Sequence, residues 1–168
     1  MSEAVYRALS GRQSGPGAEM KGLGVSDMAR AVRADAGSQK AAAAQLGVNV
    51  ATFRRWESGR VKAPKGLGTL AQAARAAMRR ARMSPGKEKR LRGTPNVAVG
   101  GEITVSRDTR NRTVQLGGDM PRGTLGPVVD AYLRGDDVAA GAAMHAAIAT
   151  AIPSMSVGDV SSLRLGGR

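Results

Sequence analysis

The sequence predicts a mainly α N-terminal domain built on a helix-turn-helix, followed by a small α+β C-terminal domain of roughly ββααβ order. Three observations predict it. Apolar residues recur at helical spacing from Val25 to Met83 and at a spacing of two from Val97 onward. A basic stretch without periodicity, Lys87–Pro95, lies between the two patterns. The net charge falls on one side of that stretch. Residues 1–93 hold 19 Lys/Arg and 6 Asp/Glu, a net of +13, whereas residues 94–168 hold 7 of each. The expected organisation is a flexible basic arm over 1–22, a helix-turn-helix domain over 23–84, a basic linker over 85–96 and an α+β domain over 97–168.

Taken in order, residues 1–22 are punctuated by Gly11, Gly15, Pro16, Gly17 and Gly22. Only Ala4–Leu9 invites a turn or two of helix. Val25, Met28, Ala29 and Val32 follow the i, i+3, i+4, i+7 rule, with Ser26 as N-cap and Gly37 as terminator. Ser38 caps an Ala-rich helix over Gln39–Leu46, which Gly47 breaks. Asn49 caps a third over Val50–Ser58, which Gly59 ends. A fourth helix, Leu67–Met83, carries the stripe Leu67, Leu70, Ala71, Ala74, Met78 and Ala81, flanked by Arg75, Arg79, Arg80 and Arg82. Val97, Val99, Ile103 and Val105, then Val114 and Leu116, alternate around a turn at Asp108–Asn111 and predict a hairpin. Helices over about Thr124–Leu133 and Asp137–Ile152, the latter capped near Asp136, precede a last strand within Val157–Leu165. The pairs Gly22/Gly24, Gly66/Gly68 and Gly100-Gly101 lack phosphate-loop context and read as turns.

Composition removes several function classes. The 168 residues include no Cys and one His, so thiolate sites are excluded and a zinc site is not expected. His145, among alanines, reads as a packed or surface helix residue, and Asp136-Asp137 as a helix start favoured by the dipole. No catalytic constellation, metal or cofactor is implied. No apolar run reaches the ~20 residues of a membrane span, and the first residues lack a signal-peptide core, so a cytoplasmic, nucleoid-associated protein is expected. With one Phe, one Trp and two Tyr the cores are lean, and small lean domains tend to need a partner subunit. The Ala-rich helix Val138–Ala151 permits close packing in a homodimer.

Gln39–Trp56 meets the helix-turn-helix requirements one by one. Ala43 supplies the small residue at the helix crossing and Gly47 the turn residue tolerant of positive φ. Val48, Val50, Phe53 and Trp56 pin the second helix, which leaves Thr52, Arg54, Arg55 and Ser58 outward. Such a helix reads base edges with its N-terminal residues. Ala51, Thr52 and Arg55 are the candidates for base contact, Arg being the best reader of guanine. Asn49, Arg54, Ser58, Arg60, Lys62 and Lys65 are the candidates for phosphate contact. The run Lys87, Lys89, Arg90 and Arg92 either tracks a DNA backbone or only solubilises the chain. Phe53 and Trp56 read as core anchors rather than base-stacking residues.

Ala41–Pro64 (AAAAQLGVNVATFRRWESGRVKAP) resembles the helix-turn-helix of the terminal proteins that cap the telomeres of linear streptomycete replicons. The resemblance rests on the Q-L-G turn, Thr52 with the aromatic four residues after it, and the basic tail ending in Pro. It extends loosely over Val25–Leu165. It implies binding to folded single-stranded 3′ ends, a telomere-associated protein and a DNA polymerase as partners, and a side-chain hydroxyl that accepts the first nucleotide of end-filling synthesis. The family's acceptor is a Thr between the first β segments. Thr109, then Ser106, match that place in Ser106–Asn111, a shorter loop than the family's. Two other readings stand beside it: a helix-turn-helix regulator of a plasmid, phage or integrated element, and a packaging protein that binds nucleic acid without sequence readout.

Overall fold

The computed structural model describes residues 1–61, 64–93, 96–116 and 120–165. Among these, the elements in chain order are α1 (Ser2–Ser10), a 3-10 turn (Pro16–Met20), α2 (Val25–Ala36), α3 (Gln39–Gln45), α4 (Val50–Glu57), α5 (Leu67–Arg82), α6 (Pro85–Gly93), β1 (Val97–Val105), β2 (Asp108–Gln115), α7 (Gly126–Leu133), α8 (Asp137–Ala151) and β3 (Met155–Leu165). They form a mainly α part and a small α+β part. The helical unit comprises Gly17–Met83 with Leu133–Gly135, and the sheet unit comprises Met1–Pro16, Ser84–Tyr132 and Asp136–Arg168.

In the helical unit the expected helix starts are mostly found. The Ser38 side chain accepts from the Ala41 N–H at 3.1 Å, and Asn49 from Thr52 at 2.7 Å. Ser26 does not cap α2. It lies inside the first turn and its hydroxyl donates to the Glu57 carbonyl at 2.6 Å, while Asp27 accepts from the Gly24 N–H at 3.0 Å. The core joins Val25, Met28, Ala29 and Val32 of α2, Ala42 and Ala43 of α3, Phe53 and Trp56 of α4, and Leu70 and Ala74 of α5. The stripe expected on α5 is only partly inside: Leu67 is 38% exposed and Ala81 is exposed. Arg79, expected on a flank, is fully buried. Its guanidinium meets Glu19 at 2.9 Å, and Glu19 also takes Arg82 at 3.1 Å. A buried charge persists only when paired in this way, so Glu19 on the 3-10 turn is what lets Arg79 of α5 sit inside.

The sheet unit corrects three expectations. The turn or two of helix expected over Ala4–Leu9 is the longer α1, and it is packed rather than part of a flexible arm, with Val5, Tyr6 and Leu9 fully buried. These residues share one side of a helix, and Gly11, at φ 73°, closes it with an N–H bond to the Arg7 carbonyl at 2.9 Å. Residues 85–93, expected as a linker, form α6. Pro85 occupies the position where its missing N–H costs nothing, Ser84 accepts from the Lys87 N–H, and Leu91 is buried. The sheet is antiparallel with order β2-β1-β3. Gly100-Gly101 is not a turn but the middle of β1, where the pairing with β3 slips. A side chain at Gly101 would strike the Asp159 carbonyl, so glycine permits the bulge.

Buried in this unit are Val97, Val99 and Ile103 of β1, Val128 and Val129 of α7, and Met144 and Ile148 of α8. The Tyr6 and Tyr132 rings lie 6.3 Å apart in a tilted arrangement. Asp136 caps α8 as expected, accepting from the Ala139 N–H at 2.9 Å. His145 is exposed. No helix among the described residues is long and apolar enough to cross a membrane.

Candidate nucleic-acid interface

The turn between α3 and α4 follows from its glycine. Gly47 takes φ 66°, its N–H bonds the Ala44 carbonyl at 3.1 Å, and the Val48 N–H bonds the Ala43 carbonyl at 3.0 Å. This paired pattern closes a helix and sends the chain back at a defined angle. The same pattern closes α4: Gly59 sits at φ 73°, its N–H bonds Trp56, and the Arg60 N–H bonds Arg55 at 3.1 Å. Between the two turns, Phe53 and Trp56 face the core. Asn49, Ala51, Arg54, Arg55 and Ser58 face solvent, and Thr52 is half-buried.

A polar network fixes this arrangement. Arg54 Nε donates to Gln39 Oε1 at 3.0 Å, Gln39 Nε2 donates to Glu57 Oε2 at 2.6 Å, and Arg33 meets Glu57 Oε1 at 2.9 Å. The network ties α2, α3 and α4 together. Gln39, Glu57 and Arg33 went unnoticed in the sequence, because their partners lie 15 to 31 residues away in the chain and no local spacing marks them. Arg54, a phosphate candidate, is thereby held along the α3 start.

Charge concentrates here. The helical unit holds 14 Lys/Arg against 4 Asp/Glu, a net of +10, and the sheet unit 12 against 9, a net of +3. All four carboxylates of the helical unit are engaged: Glu19 by Arg79 and Arg82, Asp27 by Arg30 at 3.9 Å, Asp35 by Arg80 and Glu57 by Arg33. The bidentate Arg80 fork holds the Asp35 carboxyl below its usual range, and Asp35 in turn raises the Arg80 guanidinium. No such pair holds Arg55, Arg60 or Lys65 among the described residues, and all three are exposed. Lys62 lies outside the described residues. Thr52 and Lys65 line an apolar depression of about 470 Å³ floored by Trp56 and Val48.

The remaining candidates are in the sheet unit. Of the run on α6, two members are spent internally. Lys87 Nζ donates to the Leu9 carbonyl at 2.8 Å, a cation at the C-terminus of α1. Arg92 meets Asp130 at 2.6 Å and Glu88 at 2.8 Å, and these bonds raise its proton affinity further. These bonds tie α6 to α1 and α7, a structural role beside the DNA-tracking and solubilising ones that the sequence offered for the run. Lys89 and Arg90 remain exposed. The hairpin turns two residues earlier than expected, at Ser106-Arg107, with Val105 opposite Asp108. Two-residue hairpin turns need positive φ at their first position, and Ser106 supplies it at φ 59°. Thr109 is therefore a strand residue. It lies opposite Thr104, and the two hydroxyls are 2.7 Å apart. No cluster of His, Cys, Asp or Glu suited to a metal occurs among the described residues. Comparison with protein-family models, curated proteins and solved structures returns no match to this chain.

Proposed function

We propose that the helical unit is a helix-turn-helix module that docks α4 in the major groove of duplex DNA, and that the protein acts as a DNA-binding protein of a replicon or its ends. One observation carries the reading. The α4 segment is pinned by Phe53 and Trp56, preceded by the Gly47 turn and closed by Gly59, yet its outer face presents Ala51, Arg55 and Ser58 with no carboxylate drawn to Arg55 among the described residues. In that pose Ala51 and Arg55 meet base edges, and Arg60 and Lys65 meet phosphates. The module sits in a unit of net +10, which rewards each phosphate neutralised.

The test is selection of a preferred duplex, followed by Arg55→Ala. The variant should lose about 1–3 kcal/mol on the preferred site and relax discrimination at one base pair. Equal weakening on every duplex would make Arg55 a phosphate contact, and absence of any preference would favour the packaging reading. A second copy on a palindromic site would double the readout, and sedimentation of the complex measures that stoichiometry. One observation favours the end-priming role: Ser106 is exposed at the hairpin apex. Labelling with a radioactive deoxynucleotide and a cognate polymerase, compared between Ser106→Ala and Thr109→Ala, tests it.

A further inference from the structure

The sheet unit carries a cationic feature that α4 does not account for. At the tip of the β1–β2 hairpin, Arg107 is exposed and makes no ion pair among the described residues. The next residue, Asp108, organises two more arginines. Its Oδ1 accepts from Arg110 Nε at 2.8 Å, its Oδ2 meets Arg112 Nη2 at 3.2 Å, and its carbonyl accepts from the same Nη2 at 2.7 Å. The choice of nitrogen matters. A carboxylate that takes Nε leaves the outer amino groups of the guanidinium open, and the Arg110 side chain is 71% exposed. Arg112 is more enclosed, at 30%, and opposes Gly101 at the bulge. Asp108 therefore does not neutralise the tip. It spends one negative charge to aim one guanidinium outward and brace another, and Arg107 adds a third positive charge.

We infer that this hairpin tip is a second nucleic-acid contact, in which Arg107 and Arg110 grip phosphates of a DNA duplex without reading its sequence. The forked N–H donors of Arg suit phosphate oxygens. A two-residue turn on a ribbon braced by β3 presents them on a stiff support. The inference shares with the proposed function only the identity of the partner, and it places a contact in the unit whose net charge alone would not suggest one.

The experiment uses the full chain and follows anisotropy of a labelled duplex at several KCl concentrations. Each phosphate contact contributes about 0.9 to the slope of log affinity against log salt. Arg107→Ala with Arg110→Ala should lower that slope by about 2 and weaken unrelated duplexes by the same factor. The pair Arg107→Lys with Arg110→Lys should restore most of the slope. Both side chains are exposed, so melting of the Ala pair should match the parent. An unchanged slope overturns the inference, as does an early-melting Ala pair whose slope the Lys pair fails to restore. Arg55→Ala, run alongside, separates the two readings. If it abolishes preference while the hairpin pair changes nothing, the module stands and the hairpin contact falls. If the hairpin pair lowers the slope while Arg55→Ala leaves preference intact, the reverse holds. No affinity of the parent for any duplex overturns both.

Discussion

The two units of this chain handle charge in opposite ways. In the helical unit acids are scarce, and each is held by arginine, so Arg55, Arg60 and Lys65 face solvent with no carboxylate drawn to them among the described residues. In the sheet unit the numbers nearly balance, and the carboxylates Glu88, Asp130 and Asp108 gather arginines at chosen places. One unit makes a broad positive field and the other makes small directed groups. Net charge by segment finds the first kind of surface and misses the second. The boundary that charge suggested, near Gly93, is accordingly not the structural one. The sheet unit takes α1 from one side and α6 from the other side of the helical stretch.

Four changes would break or sharpen this contrast. The largest effect is expected from Glu19→Ala, which removes the carboxylate paired with the fully buried Arg79. Removing one partner of a buried pair costs about 3–5 kcal/mol. Urea unfolding followed by the fluorescence of Trp56, the sole tryptophan, reads it. A loss under 1 kcal/mol would mean that water reaches Arg79 readily. Next, Leu9→Ala should cost about 2–5 kcal/mol, because Leu9 is fully buried in the sheet unit. Loss of amide protection along β1 reports it, and an unaltered pattern would return residues 1–10 to the role of a free arm. Third, Gly141→Ala should cost about 1–3 kcal/mol by overpacking, since a methyl group there meets Ser2 of α1. Thermal melting monitored by circular dichroism measures it.

The smallest effect concerns Asp35. Its carboxyl is held below the usual value of 3.8, first by the hydrogen bond from Arg80, so it binds protons less readily folded than unfolded. Its contribution is present at neutral pH and is lost as pH falls below that value. Asp35→Asn should remove about 0.2–1 kcal/mol at pH 7, the range for a pair that solvent still reaches. It should also make the acid limb of the stability profile shallower. Equal stability of parent and variant at pH 7 would show that the pair contributes nothing.

What was legible in the sequence was local. The spacing of Val25, Met28, Ala29 and Val32 marked a buried helical face. Ser38, Asn49 and Asp136 marked helix starts because a cap bonds an N–H only three positions ahead. Gly47 marked a turn because positive φ is a property of a single residue. Where local signals compete, strand register decides. Asp108–Asn111 has turn composition, but register with β1 keeps it in a strand and moves the turn to Ser106-Arg107. Gly100-Gly101 has the same composition and instead gives the bulge that lets β1 pair on both sides.

By itself, then, the sequence determined the starts of α3, α4 and α8, the glycine stops at Gly37, Gly47 and Gly59, the core face of α2 and the order of strands and helices after Val97. Those depend on contacts a few residues apart. Only the tertiary structure decided that α1 is part of a core, that α6 is a helix braced by Lys87 and Arg92, and that Arg79 is buried. It also decided that Gln39 and Glu57 lock α4 in place. Each of these depends on a partner many residues distant, and an amphipathic segment or a charged side chain does not carry the address of what it will meet.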